Sequence, residues 1–165
     1  MDLEEIYRKH FHDIFLYVKK LSGDEHVAEE ITSDTFLKAM KSIHSFRGDC
    51  DIRVWLCQIA KNSFLSYVKK HKNISFADIP TQDLVDSKTN IDEDTIVKDQ
   101  AMRIKTILHS INDPYREVFM WRVFAELSFK QIGQIFHKSE NWACVVYHRC
   151  KAMIRKKLEE QEYEK

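Results

Sequence analysis

Glycine and proline are scarce in this chain: three Gly and two Pro in 165 residues. Both residues interrupt helices and build turns, so their scarcity favours long helices with few breaks. No run of about 18 or more apolar residues occurs, which argues against a membrane-spanning helix. The N-terminal MDLEEIYRKHF is acidic and charged and has no signal-peptide core, so a cytoplasmic protein is expected. Paired cysteine motifs are missing too. Cys50, Cys57, Cys144 and Cys150 form no CxxC, and in a reducing compartment they read as small apolar residues. Cys144 and His148 stand at i, i+4, but together with Cys150 they do not match a known zinc module, so no metal is expected. A nucleophile elbow, a Gly-rich phosphate loop and HExxH are all lacking, so neither an enzyme nor a cofactor is expected.

Net charge is also lacking: 26 Lys+Arg balance 26 Asp+Glu. The balance is uneven along the chain. Residues 1–72 are nearly neutral, with 12 basic and 11 acidic side chains. Residues 73–100 hold 2 and 7, and residues 101–165 hold 12 and 8. Lys138, Arg149, Lys151, Arg155, Lys156 and Lys157 cluster with Glu140 as the one acid among them. A basic C-terminal patch is therefore hidden behind an acidic middle, and a basic patch is the electrostatic footprint of a nucleic-acid binder.

What is present is helical periodicity. Asp2–Leu21 fits an amphipathic helix with Ile6, Ile14, Val18 and Leu21 near one face. Gly23 is placed to stop it and Asp24 to cap the next helix, Glu25–Ser42, with Val27, Ile31, Leu37 and Met40 as core. Residues 46–51 form a loop. Asp51 then caps a third helix, Ile52–Lys70, in which Trp55, Leu56, Ile59, Ala60, Phe64 and Val68 are assigned to the core. Residues 73–96 lose the period, contain Pro80 and collect acids, which predicts a flexible linker. Further helices follow over Val97–Ser110, from Pro114 to Phe124, over Ser128–Phe136 and over Glu140–Glu160, with a frayed acidic tail. The expected fold is all-α: two small helical domains, 1–72 and 97–165, joined by the linker 73–96.

The segment LSFKQIGQIFHKSENWACVVYHRCKAMIRKK, Leu127–Lys157, has the layout of a helix-turn-helix whose second helix enters the DNA major groove. Alone it suggests a stand-alone transcriptional regulator, with residues 1–72 sensing a ligand. A second segment narrows that reading. SFRGDCDIRVWLCQIAKNSFLSYVKKH, residues 45–71, taken with INDPYREVFMWRVFAELSFKQIGQIF, residues 111–136, resembles the small extracytoplasmic-function sigma factors of bacterial RNA polymerase. The resemblance covers nearly the whole chain except linker and tail. It implies an alternative sigma factor that binds core RNA polymerase through its β′ and β subunits, recognises −10 and −35 promoter elements and promotes initiation. It further implies a monomer when free, held inactive by an anti-sigma factor that is often membrane-anchored in this family.

The same resemblance carries site residues over by position. Phe46 and Asn62 match the pocket for a flipped base of the −10 element. Phe46 offers a flat apolar surface and Asn62 a donor and an acceptor; their ordinary alternatives are a core cap and a backbone cap. Lys61, Lys69 and Lys70 are candidates for phosphates. In the second helix Glu30, Asp34 and Phe36 match the face that docks on polymerase, while Ser33 stands where the family usually has Gln. On the last helix Asn141, Trp142, Cys144, Val145, His148, Arg149 and Lys151 are the candidate −35 readers. This stretch departs from the family: Trp142-Ala143-Cys144-Val145-Val146 replaces Thr-Val-x-Ser-Arg, so Trp142 either touches DNA or is buried. His137 replaces a usual Gly in the turn, where a left-handed backbone is unfavourable for His.

Overall fold

The computed structural model describes residues 2–71 and 91–164, and every regular element among them is helical. The chain divides into two compact units, Met1–Pro80 and Thr81–Lys165.

In the first unit α1 spans Leu3–Ser22, α2 Glu25–Ser42 and α3 Ile52–Lys70, with a 3-10 turn at Ile43–Ser45. Three aspartates set the three helix starts. Asp2 accepts from the Glu4 N–H at 3.0 Å, Asp24 from those of His26 and Val27 at 2.8 and 3.1 Å, and Asp51 from that of Arg53 at 2.8 Å. Each cap satisfies donors the helix cannot, a contribution of about 1 kcal/mol. Gly23 ends α1 in the left-handed region, at φ 67°, with its N–H on the Lys19 carbonyl.

Ile14, Val18, Leu21, Ala28, Ile31, Val54, Leu56, Ala60 and Phe64 are buried between these helices. Full burial of one such aliphatic side chain contributes roughly 1.5–3 kcal/mol. Here α2 corrects the sequence reading. Its packed face is Ala28, Ile31, Thr32, Thr35 and Ala39, whereas Leu37 and Met40, expected in the core, are 54% and 50% exposed. Small and β-branched residues let α2 sit close to its neighbours, and the Thr35 hydroxyl donates back to the Ile31 carbonyl at 2.7 Å, so it needs no water. Trp55, Ile59, Val68 and Val27 are half-buried rather than core.

In the second unit α4 spans Ile91–Ser110, α5 Tyr115–Val123, α6 Phe129–Phe136 and α7 Glu140–Tyr163. The expected linker lies outside the described residues as far as residue 90. Its last six residues are helical, because α4 begins at Ile91 and not at Val97. The expected frayed tail is likewise helical to Tyr163. Ile107 and Leu108 of α4, with Ile111 just beyond its end, meet Cys150 and Ile154 of α7, with Phe119, Met120 and Leu158 packed alongside. Lys157 Nζ donates to Ser110 Oγ at 2.6 Å, tying the far part of α7 to the end of α4.

All four cysteines are free thiols. Burial pushes Cys57 up to about 12 and Cys150 up to about 11, which keeps both protonated and unreactive. Cys150 faces the core while Cys144 and His148 stand on the outer side of α7, so the three cannot converge on one ion.

Candidate nucleic-acid interface

The helix-turn-helix is built from short-range chemistry. Ser128 and Gln131 form a reciprocal capping box at the start of α6: the Ser128 hydroxyl accepts from the Gln131 N–H at 3.1 Å, and the Gln131 side chain accepts from the Ser128 N–H at 2.9 Å. At the other end His137 takes the left-handed conformation, φ 54° and ψ 41°. Its N–H reaches the Gln134 carbonyl at 3.3 Å, and the Lys138 N–H reaches that of Gly133 at 2.8 Å. This pair of bonds closes α6 in a Schellman arrangement. Ser139 restarts the chain as cap of α7, accepting from the Trp142 N–H at 3.0 Å. The turn between the helices is therefore His137, Lys138 and Ser139 alone.

Ala143, Val146, Cys150 and Ile154 bury the inner face of α7. At 100° per residue the ridge opposite that face is Asn141, Val145 and His148. Asn141 and His148 are exposed, and Val145 is 38% exposed, a high value for a valine. Arg149 and Lys151 are exposed on the two flanks of this ridge, and Cys144 is half-buried beside it. Trp142 does not join them: it is half-buried, with its ring 5.3 Å from that of Phe136 on α6. Its packing braces α7 against α6. The ridge thus presents an amide, an aliphatic surface and an imidazole, with a cation on either side. An amide can pair bidentately with adenine, a valine can contact a thymine methyl, and an arginine can bond guanine or a phosphate. Behind the ridge, Tyr147 lies 5.8 Å from Phe119 and 5.5 Å from Phe129. The Arg122 guanidinium covers Phe129 at 4.5 Å and donates to the Leu127 carbonyl at 2.9 Å. These contacts hold α5, α6 and α7 as one body.

In the first unit α3 aligns a second set. Trp55, Asn62 and Lys69 recur every seven residues and so share one helix face. Phe46, in the loop before α3, packs on Trp55 with ring centroids 5.1 Å apart. About 10 Å of helix separates Trp55 from Asn62, so the aromatic pair and the amide are successive stations along one face. Asn62, Lys69 and Lys70 are exposed and Lys61 is half-buried. Trp55 enters the candidate set only through its contact with Phe46, since a tryptophan at helical spacing reads as core.

The proposed polymerase face of α2 is also more apolar than its sequence assignment. Glu30, Ser33, Leu37 and Met40 form the ridge opposite the packed face, with Asp34 on one flank and Phe36 on the other. Phe36 joins Tyr7 and Phe11 of α1 in an aromatic cluster, at 5.1 and 5.8 Å. Tyr7, Ser33, Phe36, Leu37, Met40 and Trp55 help line an open groove of about 350 Å³. The exposed lining of this groove is mostly apolar.

Charge in this unit is locally paired. Arg53 lies 3.6 Å from Asp13, and Lys38 lies 2.7 Å from Asp34. His10 is buried, and desolvation holds its pKa below 6.5, with Lys9 lowering it further while Asp51 and Asp13 oppose the shift.

Comparison with known proteins adds an independent line. The family described as Sigma-70 region 2 matches residues 6–74. The ECF RNA polymerase sigma factor SigM of Bacillus subtilis (strain 168) is 29% identical over 172 residues, covering 98% of this chain and 100% of SigM. The RNA polymerase sigma factor YlaC of the same organism is 26% identical, covering 94% and 91%. Among solved structures, the sigma factor RpoE of Bartonella quintana, in complex with the anti-sigma factor NepR, superposes with a TM-score of 0.59 at 17% identity, covering 94% of this chain and 96% of that one. CnrH, in complex with the cytosolic domain of CnrY, gives 0.61 at 15% identity, covering 95% and 87%.

Proposed function

The chain belongs to the extracytoplasmic-function group of RNA polymerase sigma factors, and from that premise we propose that it recognises promoters at two elements while bound to core polymerase. The observation that carries this reading is the pairing, in the first unit, of a nucleic-acid-like face on α3 with an exposed apolar ridge on α2. A stand-alone regulator could bind a ligand in the α2 groove but would leave the α3 face without a role.

In this reading α7 lies in the major groove at the −35 element. Asn141, Val145 and His148 face the base edges, with Cys144 at their side, and Arg149 and Lys151 lie at the flanks. The phosphates fix the register and the ridge supplies the discrimination. At the −10 element an unstacked base leaves the duplex, which costs a few kcal/mol. Asn62 offsets part of that cost through hydrogen bonds to the base edge. The Phe46–Trp55 pair supplies a flat apolar surface, and stacking on such surfaces contributes about 1–3 kcal/mol per base. Lys61, Lys69 and Lys70 follow the backbone. Glu30, Asp34 and Phe36, with Leu37 and Met40, dock on polymerase.

We further propose that an anti-sigma partner holds the protein inactive by covering these faces. The anti-sigma complex of the Bartonella quintana relative supports that regulation. No helix among the described residues is long and apolar enough to cross a membrane.

Transcription from fragmented genomic DNA, with and without core polymerase, tests the proposal. Discrete transcript starts that need both core and this protein are expected, together with weak binding to the same promoters by the protein alone. Tight, sequence-specific binding without core, and no transcript with it, would replace this reading by that of a stand-alone regulator.

A further inference from the structure

Lys38 joins two faces of the first unit that the function requires to act together. Its ammonium stands 2.7 Å from the Asp34 carboxylate, one turn earlier on α2. The same Nζ donates to Ser63 Oγ on α3 at 2.9 Å, across 25 residues of sequence. Ser63 is buried, at 3% exposed, and follows directly on Asn62, which is exposed. A carboxylate, an ammonium and a hydroxyl thus form a continuous polar chain from the outer flank of α2 to the residue beneath the base-reading amide.

The components differ in weight. The Lys38 and Asp34 side chains are 50% and 43% exposed, and an exposed pair of this type contributes little to stability. The bond to Ser63 matters more, because its hydroxyl is buried and an unsatisfied buried hydroxyl is costly. The donor is also a cation, which strengthens the bond. Lys38 therefore both helps hold the unit folded and sets where α3 sits against α2 next to Asn62.

We propose that Lys38 is a positioning residue that couples docking of polymerase at Asp34 to base capture by Asn62, acting through Ser63. The inference rests on the assignment of Asp34 to docking and Asn62 to the −10 element. A cation of the docked partner competes with Lys38 for the Asp34 carboxylate. As that carboxylate is shared, the ammonium commits more fully to Ser63 and stiffens the α2–α3 contact under Asn62. The partner interacts differently with the two arrangements, which is what a coupling requires.

The test uses the full chain with core polymerase and a promoter recovered in the transcription experiment, carrying a fluorescent base analogue in the −10 element. Core affinity and the extent of opening at saturating core are read separately for K38M, K38R, S63A, D34N and the double variant D34N/K38M. K38M should keep core affinity within about twofold and, by leaving the buried Ser63 hydroxyl without this donor, lower the thermal transition by several degrees, yet at a temperature where it is fully folded open the promoter about fivefold less. S63A should share that defect, and K38R should open nearly as well as the unsubstituted protein. D34N, which frees the ammonium for Ser63, should open no less than the unsubstituted protein at saturating core, while D34N/K38M should show the full K38M defect. Undiminished opening by K38M, or a D34N defect that persists at saturating core, would overturn the coupling. The unsubstituted protein is the control for the premise: if it opens no promoter with core, the initiation role falls and the coupling with it. If it opens normally and K38M does too, only the coupling falls.

Discussion

Gly133 of α6 lies directly under the backbone of Lys138: a Cβ there would stand 2.7 Å from the Lys138 carbonyl oxygen and 2.9 Å from that of Ser139. Both neighbours are backbone atoms of the turn, so neither can swing aside. Alanine would otherwise help, since glycine inside a helix costs up to about 1 kcal/mol. The clash outweighs that gain, because overpacking of this kind costs roughly 1–3 kcal/mol. Gly133→Ala should lower the thermal transition of the second unit by several degrees, on the scale of about 4–8 °C per kcal/mol for a domain this small. It should also weaken −35 binding by displacing α7. An unchanged or raised transition by calorimetry would show that the turn relaxes freely.

Asn62 is exposed on α3, and an exposed polar truncation usually changes stability by no more than about 0.5 kcal/mol. Asn62→Ala should therefore leave the thermal transition in place and impair promoter opening strongly. Permanganate footprinting of the −10 region with core polymerase reads the opening directly. Loss of thermal stability with normal opening would assign Asn62 to the fold.

Arg149 and Trp142 separate by the same logic. Arg149 is exposed at the flank of the ridge, and Arg149→Ala should weaken −35 binding by about 1–3 kcal/mol if it reads a base. If it contacts a phosphate, the loss is uniform across promoter variants and the salt dependence becomes shallower. Trp142 packs on Phe136, so Trp142→Ala should destabilise the second unit before it alters sequence preference. A binding titration over single-base variants of the −35 element decides both; a change of preference with intact stability in the Trp142 variant would return that residue to the reading surface.

His10 sets a pH dependence for the first unit. Its pKa in the fold is depressed below 6.5, chiefly by desolvation, and Lys9, Asp51, Asp13 and Arg53 are the charged groups that act on it. The unfolded chain therefore binds this proton more readily than the folded one. Stability must rise with pH across the window between the depressed value and 6.5. The contribution is complete above about pH 6.5 and is lost as the pH falls below it. His10→Gln should flatten that part of the stability profile, as measured by urea denaturation between pH 5 and 7.5. An identical slope in both proteins would remove His10 as its source.

Much of this molecule was determined by local sequence. The caps Asp2, Asp24, Asp51, Ser128 and Ser139, and the stop at Gly23, act within a few residues of themselves, so the helix starts could be read without knowing what packs on what. The motif segments at 45–71 and 111–136 carried the family for the same reason, since their residue order is itself the signal. Which face of a helix turns inward is different in kind. Leu37 and Met40 are apolar and correctly spaced for a core, yet the close approach of α1, α2 and α3 is met by Ala28, Thr32, Thr35 and Ala39, and the larger side chains are left outside. Trp142 was ambiguous until Phe136 was placed against it, and Phe46 found Trp55 only through the loop that brings them together. The bond from Lys38 to Ser63 crosses 25 residues and depends on where two helices sit side by side, a distance that no local rule contains. Propensity and capping decide where helices begin; only packing decides which of their residues are left to meet a partner.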